Sequence, residues 1–316
     1  MPTVLFFRNF QRFTGADLKV WDYFNHVLAT PGWNACVRFS EDSVWDETNP
    51  WRDAIDHVIG ADDEIDPDAY FVSGVDWRQI QPAIRRESPV PVLNLIQAVW
   101  HACPNDLMLR YRFLPHKAIR ICVSPEVERA INGTGTVRGP TFVVPNGIDL
   151  DAIRSFAGKG GRDVELVIAA NKQPELGARL AERVAAPGRT VRLLEHRIPR
   201  SELLAWLARA HVALLLPRHK EGFYLPALEA MALGALVVCP DCIGNRSYCL
   251  PGQNCLRPEY VEDAITGAVE TALERFDELP ALVERARATA RAHDLRRERE
   301  AFHEILGRAE ELWAEP

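Results

Sequence analysis

Two glutamates, Glu221 and Glu229, flank a short segment whose composition suits ligand binding. Glu221 falls in a polar loop that follows the apolar run 212–216, and Glu229 falls in a predicted helix over 226–233. Carboxylates accept hydrogen bonds from hydroxyl groups, and sugars and ribose present several such groups. The spacing therefore predicts a sugar-binding or ribose-binding pair. The alternative is that Glu229 has a structural role and that Glu221 is solvated.

The loop that precedes this predicted helix favours the same chemistry. Ligands of open α/β sheets bind beyond the carboxyl ends of the strands, which is where residues 217–225 would lie. Gly222 lets the backbone approach a ligand closely. Pro226 suits the first turn of a helix, where free N–H groups can hold a phosphate or a sugar oxygen.

Short apolar runs alternate with helical patterns along the whole chain, which predicts the α/β class with doubly wound parallel sheets. In the first half we predict strands over 3–10, 34–39, 69–73, 90–96, 118–123 and 141–144, and helices over 17–28, 77–86 and 125–131. In the second half we predict strands over 164–169, 190–194, 212–216 and 236–239, and helices over 175–185, 201–210, 226–233 and 260–276. The chain therefore contains two Rossmann-like halves.

A length of 316 residues is more than one ordinary core needs and suits two domains. A turn signal at 144–149 and a glycine-rich stretch at 158–161 mark the boundary. We predict domains over 1–150 and 151–294, followed by an amphipathic C-terminal helix over 295–316. That helix either packs on its own domain or crosses back to the N-terminal one.

Charge and cysteine content restrict the class of partner. A net charge of −7 disfavours nucleic acid, because duplex binding relies on clustered Lys and Arg. No apolar run approaches the ~18 residues that span a bilayer, and the N-terminus does not resemble a signal peptide, so we expect a cytoplasmic protein. The basic and aromatic stretch 109–120 leaves peripheral contact with a membrane open.

The seven cysteines predict reduced thiols rather than disulfides. Cys239, Cys242, Cys249 and Cys255 are close enough in sequence to suggest a zinc or iron–sulfur site. Cys239 ends a predicted buried strand, however, and Cys255 falls in another apolar segment, so packed thiols are the favoured interpretation and no metal is expected.

The segment EGFYLPALEAMALGA, which begins at Glu221, resembles the E-x7-E signature of the retaining family 4 glycosyltransferases, also called glycosyl transferases group 1. Three further stretches agree with that family in order and spacing: 121–127, 144–149, and 244–247 together with 251–256. The resemblance implies the GT-B fold, in which two Rossmann-like domains face a central cleft. It also implies that the donor binds mainly to the C-terminal domain and the acceptor mainly to the N-terminal one.

The resemblance assigns roles around the two glutamates. Glu221 would contact hydroxyls of the donor sugar, and Glu229 would hold the nucleotide ribose. The backbone amides near the sugar would be those of Phe223, Tyr224 and Leu225.

The family also places an Arg and a Lys beside the donor diphosphate, where this chain carries Asn171 and Leu176. Lys172 is adjacent to the first of these positions and could supply one of the missing charges, and Arg218 or Lys220, near Glu221, could supply the other.

Two candidates lie in the first half. His101 follows the predicted strand 90–96, at a position where the family commonly has an active-site histidine. We expect it to position or polarise the reacting groups rather than to act as an obligatory base. Gly15 opens a predicted helix and could approach the donor phosphates. Asn94 and Gln97 are further polar candidates near His101.

The resemblance implies transfer of a sugar, with retention of configuration, from a nucleotide-diphosphate sugar to a carbohydrate, lipid-linked or small-molecule acceptor, as in polysaccharide biosynthesis. No metal ion or other cofactor is expected. Two alternatives stay open: a non-catalytic sugar-nucleotide-binding partner in a polysaccharide assembly complex, and a GT-B sugar-nucleotide epimerase. A glycogen-type phosphorylase would need a pyridoxal-binding lysine, for which the sequence shows no motif.

Overall fold

The apolar runs of the first half form one seven-stranded parallel sheet in a computed structural model that describes residues 1–103, 112–157 and 161–315. The strand order is β3-β2-β1-β4-β5-β6-β7. These strands are β1 (Thr3–Arg8), β2 (Asn34–Phe39), β3 (Val58–Ile59), β4 (Ala69–Ser73), β5 (Val92–Ile96), β6 (Ile119–Cys122) and β7 (Thr141–Val143). All six neighbouring pairs are parallel, as the alternation of strands and helices predicts.

Helices α1 (Gly15–Leu28), α2 (Pro82–Arg86) and α3 (Pro125–Asn132) accompany this sheet. Short 3-10 helices at Pro50–His57, Gly74–Gln79 and Val99–Ala102 supplement them. The helices begin where side chains can satisfy free N–H groups: Thr14 and Asp17 form a capping box at α1, and Ser124 caps α3 ahead of Pro125. The described residues divide into two units, of which the first comprises Met1–Asn146 and Glu298–Pro316.

The C-terminal segment belongs to this first unit. It comprises α10 (Leu295–Gly307) from Glu298 onward and α11 (Ala309–Ala314), which contacts β6. The ring of Phe302 lies edge-on to Tyr23 on α1, with centroids 4.9 Å apart. This contact agrees with the second of the two predicted alternatives, in which the tail crosses back to the N-terminal part of the chain.

The second unit, Gly147–Arg297, contains a four-stranded parallel sheet in the order β11-β10-β8-β9. Its strands are β8 (Val164–Ala169), β9 (Val191–Leu194), β10 (Ala210–Leu215) and β11 (Leu236–Val238). Its helices are α4 (Leu150–Arg154), α5 (Pro174–Arg183), α6 (Arg200–Arg209), α7 (Leu225–Leu233), α8 (Glu262–Glu274) and α9 (Pro280–Ala292). Fully buried aliphatic side chains of β8 and β10 pack against Ile265 and Val269 of α8 to form its core.

Two predicted helices are divided in the structure, and β3, α4 and α9 were not predicted. The predicted helix 77–86 is instead a 3-10 helix followed by α2, because Pro82 lacks an N–H and disfavours a helical residue before it. The predicted tail helix is divided into α10 and α11 near Arg308. Helix α9 was not predicted, since its buried face includes the small residues Ala286 and Ala290 and gives a weak apolar pattern.

The boundary between the two units lies within the predicted turn at 144–149. The first unit ends at Asn146, four residues before the predicted boundary at 150, and residues 158–160 of the glycine-rich stretch lie outside the described residues. Residues 109–111 of the basic and aromatic stretch also lie outside them. None of the helices built from the described residues is long and apolar enough to cross a membrane.

Candidate functional site

The loop between β10 and α7 lies at the carboxyl end of a central strand of the second sheet, where ligands of such sheets bind. β10 ends at Leu215 and α7 begins at Leu225, with Pro226 in its first turn. Gly234 ends α7 in a left-handed conformation with φ of 77°, which favours glycine. These residues fix the start, the direction and the end of the helix that carries Glu229.

A second segment supports this loop from behind. A Cβ at Gly244 would lie 2.7 Å from backbone atoms of Glu221, Gly222 and Phe223, so the close approach requires glycine. The amide of Tyr224 donates to the carbonyl of Gly244 at 3.2 Å. Two stretches that resemble the family, separated in sequence, therefore form one tightly packed pair of loops.

Glu221 lies between two of the other predicted residues. Its Oε1 atom accepts hydrogen bonds from Nζ of Lys172 at 2.7 Å and from the backbone amide of Arg218 at 3.1 Å. The Lys172 ammonium also lies 5.0 Å from the centre of the Tyr224 ring. The side chains of Lys172 and Glu221 are 33% and 17% exposed, so the pair is accessible from solvent.

Glu229 forms an ion pair with Arg200, a residue for which the sequence analysis predicted no role. Its side chain is 3% exposed, and its Oε1 accepts a hydrogen bond from Nε of Arg200 at 2.7 Å. Arg200 is the first residue of α6 and lies 29 positions away in sequence. No motif surrounds it, so only the packing of α6 beside α7 reveals the pair.

The other predicted donor-binding residues lie near the same loop. The ring of Phe223 stacks on Tyr248 with centroids 4.9 Å apart, and the hydroxyl of Tyr248 donates to the carbonyl of Tyr224. Gly222 and Leu225 are buried within the loop. Burial raises the pKa of the Tyr224 phenol well above its ordinary value, so this side chain stays neutral.

The cationic side chains around the loop differ in their surroundings. Arg218 is exposed, as are the neighbouring His219 and Lys220. Asn171 is exposed in the turn before α5, whereas Leu176 on α5 packs against the core. Lys172 is therefore the predicted cation that the structure brings into direct contact with a predicted carboxylate.

The four cysteines of the second unit are buried thiols. The side-chain amide of Asn245 donates to Sγ of Cys239 at 3.2 Å, and burial raises the pKa of Cys242 and Cys249. Within the part of the chain that the structure describes, no three His, Cys, Asp or Glu side chains form a group that could hold a metal ion. Neutral thiols that fill the core account for these residues.

His101 lies in the 3-10 helix that follows β5 and is 9% exposed. Its ring packs edge-on against Phe113 at 5.4 Å, and a Cβ at Gly74 would lie 2.9 Å from its Cε1 atom. Burial lowers its pKa to about 4, so the imidazole is neutral at pH 7. Its Nδ1 atom has no hydrogen-bond partner among the described residues. A neutral ring of this kind could polarise a bound group through a hydrogen bond.

Gly15 is the first residue of α1, and the turn around it is rich in charge. Arg8, which ends β1, forms ion pairs with Asp17 at 2.6 Å and with Asp76. Burial raises the pKa of Asp76 to about 6, although Arg8 opposes that shift. Asp17 thus places a carboxylate in the first turn of α1, which reduces the attraction of that turn for a phosphate.

Asn94 and Gln97 form hydrogen bonds within the first unit. The amide nitrogen of Asn94 donates to the carbonyl of Val72 at 3.0 Å, and that of Gln97 donates to the hydroxyl of Ser73 at 3.0 Å. Both side chains therefore help to hold the carboxyl ends of the strands in place.

Residues 148–275 match the model of a protein family described as "Glycosyl transferases group 1". This range includes Glu221, Glu229, Lys172 and Arg200. No protein of curated function matches the chain in sequence.

Solved structures of several proteins resemble the whole chain. HepE of Anabaena, solved with UDP and glucose, is 14% identical with a TM-score of 0.74, and the match covers 97% of this chain and 100% of HepE. Sucrose-phosphate synthase of Thermosynechococcus elongatus is 13% identical with a TM-score of 0.70 over 98% of this chain and 99% of that one. A glycosyltransferase of Rickettsia africae is 11% identical, also with a TM-score of 0.70, over 100% and 99%.

Because the identities are low, the similarity to these structures establishes the fold alone. The family match adds the enzyme class. They confirm the predicted GT-B fold and the predicted resemblance to the group 1 glycosyltransferases. The chain is therefore a glycosyltransferase with the GT-B fold, and residues 148–275 of its second unit match the group 1 family model.

Proposed function

We propose that this enzyme transfers a sugar, with retention of configuration and without a metal ion, from a nucleotide-diphosphate sugar to a carbohydrate or lipid-linked acceptor. The observation that carries the proposal is the ion pair between Lys172 and Glu221 on the tightly packed loop before α7. The carboxylate can accept hydrogen bonds from sugar hydroxyls, and the ammonium can neutralise a diphosphate oxygen. One accessible pair thus offers a partner to each end of a sugar–diphosphate bond.

The surrounding residues suit the remaining parts of the donor. The amides of Phe223 and Leu225 lie just before and at the start of α7, where the helix dipole favours an anion. The Tyr224 amide instead donates to the carbonyl of Gly244. Glu229 would bind the ribose, and exposed Arg218 could add a second cation. UDP and glucose are bound in the HepE structure, so UDP-sugars are the first donors to test.

In the first unit, His101 would polarise a group of the donor or the acceptor through a hydrogen bond. Its neutral state suits that role better than the role of a cationic acid. The departing phosphate would assist the acceptor on the same face of the donor, which gives retention. We further propose that the enzyme works in the cytoplasm, with peripheral membrane contact where the acceptor is lipid-linked, in the assembly of a polysaccharide.

A panel of donors tests the proposal directly. UDP-, GDP-, ADP- and dTDP-sugars would be screened by thermal shift and then by hydrolysis or transfer, with and without EDTA. We expect at least one donor to stabilise the protein and to be turned over in the presence of EDTA. Glu221→Ala and Glu229→Ala should abolish that stabilisation, whereas Glu262→Ala should leave it unchanged. Glu262 is the control because it pairs with an arginine, Arg179, as Glu229 does with Arg200, but its side chain is 29% exposed and lies at the start of α8.

The alternatives give different results in the same assay. Stabilisation by a donor without any turnover favours a non-catalytic binding partner. Release of free sugar without an acceptor, accompanied by inversion at one ring carbon, favours an epimerase. Unchanged donor binding in both glutamate variants would contradict the proposed site.

A further inference from the structure

The two ends of helix α6 bind carboxylates in different ways. At the C-terminal end, Arg209 makes a two-point contact in which Nε and Nη2 donate to the two oxygens of Asp163 at 2.8 and 2.6 Å. At the N-terminal end, Arg200 makes a single contact through Nε to Oε1 of Glu229. A two-point contact pairs two N–H groups of the guanidinium with both carboxylate oxygens. The contact between Arg200 and Glu229 uses only one N–H group and one oxygen.

Both side chains therefore have hydrogen-bonding atoms available to a ligand. Among the described residues, neither Oε2 of Glu229 nor the two Nη atoms of Arg200 has a hydrogen-bond partner. The carboxylate is almost fully buried, whereas the guanidinium is 30% exposed. The second carboxylate oxygen can accept a hydrogen bond from a ligand, and the partly exposed guanidinium can donate one.

The free atoms match one chemical group. A vicinal diol presents hydroxyls that each donate and accept, so one hydroxyl can donate to Oε2 of Glu229 while its oxygen accepts from Nη of Arg200. We propose that Arg200 is a specificity-determining residue that binds the ribose diol of the donor nucleotide together with Glu229. Arg200 holds the carboxylate in place through Nε and uses its Nη groups for the hydroxyl oxygen. This inference rests on the proposed function, in which Glu229 lies at the ribose.

A purely structural pair would behave differently. If Arg200 only joins α6 to α7, its loss lowers the stability of the second unit and weakens all nucleotides alike. If its Nη groups bind the 2′-hydroxyl of the ribose diol, its loss affects a ribonucleotide and spares the 2′-deoxy form, because the latter lacks that hydroxyl. The difference between the two sugars therefore separates the roles.

The experiment measures affinity by titration calorimetry on the full chain with UDP, GDP and ADP and with dUDP, dGDP and dADP. We expect the preferred base to bind about tenfold more tightly as the ribonucleotide than as the 2′-deoxynucleotide. Arg200→Ala and Arg200→Lys should each lose about tenfold in affinity for the ribonucleotide and leave the 2′-deoxynucleotide unchanged. Arg209→Ala, on the same helix and also removed from a carboxylate, should change neither. Arg200→Lys keeps the positive charge and gives a result even if Arg200→Ala folds poorly.

Four outcomes would count against the role of Arg200. Equal losses for both sugars in the Arg200 variants, or no preference in the wild type, would overturn the inference. A preference that disappears in Glu229→Gln but survives in both Arg200 variants would overturn the inference and keep the proposed function. Failure of the wild type to bind any nucleotide would contradict the proposed function and, with it, the role of Arg200.

Discussion

Two lysine–glutamate pairs in this chain have the same nitrogen–oxygen distance and opposite surroundings. Nζ of Lys172 lies 2.7 Å from Glu221 in the second unit, and Nζ of Lys19 lies 2.7 Å from Glu298 in the first. The first pair is accessible to solvent, whereas both side chains of the second pair are 0% exposed. Distance alone therefore does not distinguish a candidate site from an internal contact.

The partners around each pair make the distinction. The second oxygen of Glu298 bonds to His26 at 3.1 Å, and Lys19 also bonds to Asp22 at 2.7 Å. Burial lowers the pKa of Lys19, but the carboxylates of Asp22 and Glu298 more than offset this and leave the pKa raised. The buried pair thus has its groups satisfied by the protein, while the pair at Glu221 can take a ligand. We infer that the former stabilises the tail on α1 and the latter serves binding.

The largest expected effect on stability comes from a substitution that breaks the buried pair of Lys19 and Glu298. Glu298→Gln removes the carboxylate that pairs with the buried Lys19 and His26, so we expect the free energy of unfolding to fall by about 3 to 5 kcal/mol. Urea unfolding followed by tryptophan fluorescence measures it. Glu304→Gln, on the exposed side of the same helix, should change the value by less than about 0.5 kcal/mol. A small effect at Glu298 would mean that burial does not separate the two pairs.

His101 is a buried titratable side chain that, unlike Lys19 and Glu298, has no charged partner among the described residues. Its folded pKa of about 4 lies below the ordinary value, so its contribution to stability is complete above about pH 6.5 and is lost as the pH falls toward 4. Between pH 7 and pH 5 the wild type should lose about 2 kcal/mol more than His101→Asn. Urea unfolding of both proteins at the two pH values measures this difference. Parallel losses would show that the imidazole is protonated as readily in the folded chain as in the unfolded one.

Glu221→Gln tests the accessible pair through activity. The amide keeps the shape but loses the charge that holds Lys172 and binds sugar hydroxyls, so kcat/KM should fall about 100-fold on the best donor. The free energy of unfolding should change by less than about 1 kcal/mol, because exposed ion pairs contribute little. Glu262→Gln is the matched control for both measurements. A variant that keeps its activity but unfolds easily would assign Glu221 to the class of the buried pair.

Sequence reasoning worked best where the site is contiguous. Residues 221–235 place the loop, the helix start and Glu229 within fifteen positions, so their pattern predicts the element and its chemistry together. The ion pair of Arg200 with Glu229 and that of Lys19 with Glu298 join residues far apart in sequence, and neither leaves a local pattern. The break at Pro82 could have been predicted, because proline disfavours a continuous helix there. The return of the tail to the N-terminal part was one of two predicted alternatives, and only the packed fold distinguishes them through the contacts of Glu298 and Phe302 with α1.

The smallest expected effect is the coupling free energy between Lys172 and Glu221, which a double-mutant cycle compares with that between Lys19 and Glu298. In a double-mutant cycle, Lys172→Met and Glu221→Gln should show a coupling free energy of about 0.2 to 1 kcal/mol for unfolding, as is usual for exposed pairs. The cycle of Lys19→Met and Glu298→Gln should give a larger value, because each single variant leaves a buried charge without its partner. Urea unfolding of the wild type, the four single variants and the two double variants provides both numbers. Similar couplings would mean that the pair at Glu221 is held as firmly as the buried one, and a ligand could then displace Lys172 from Glu221 only at a comparable cost.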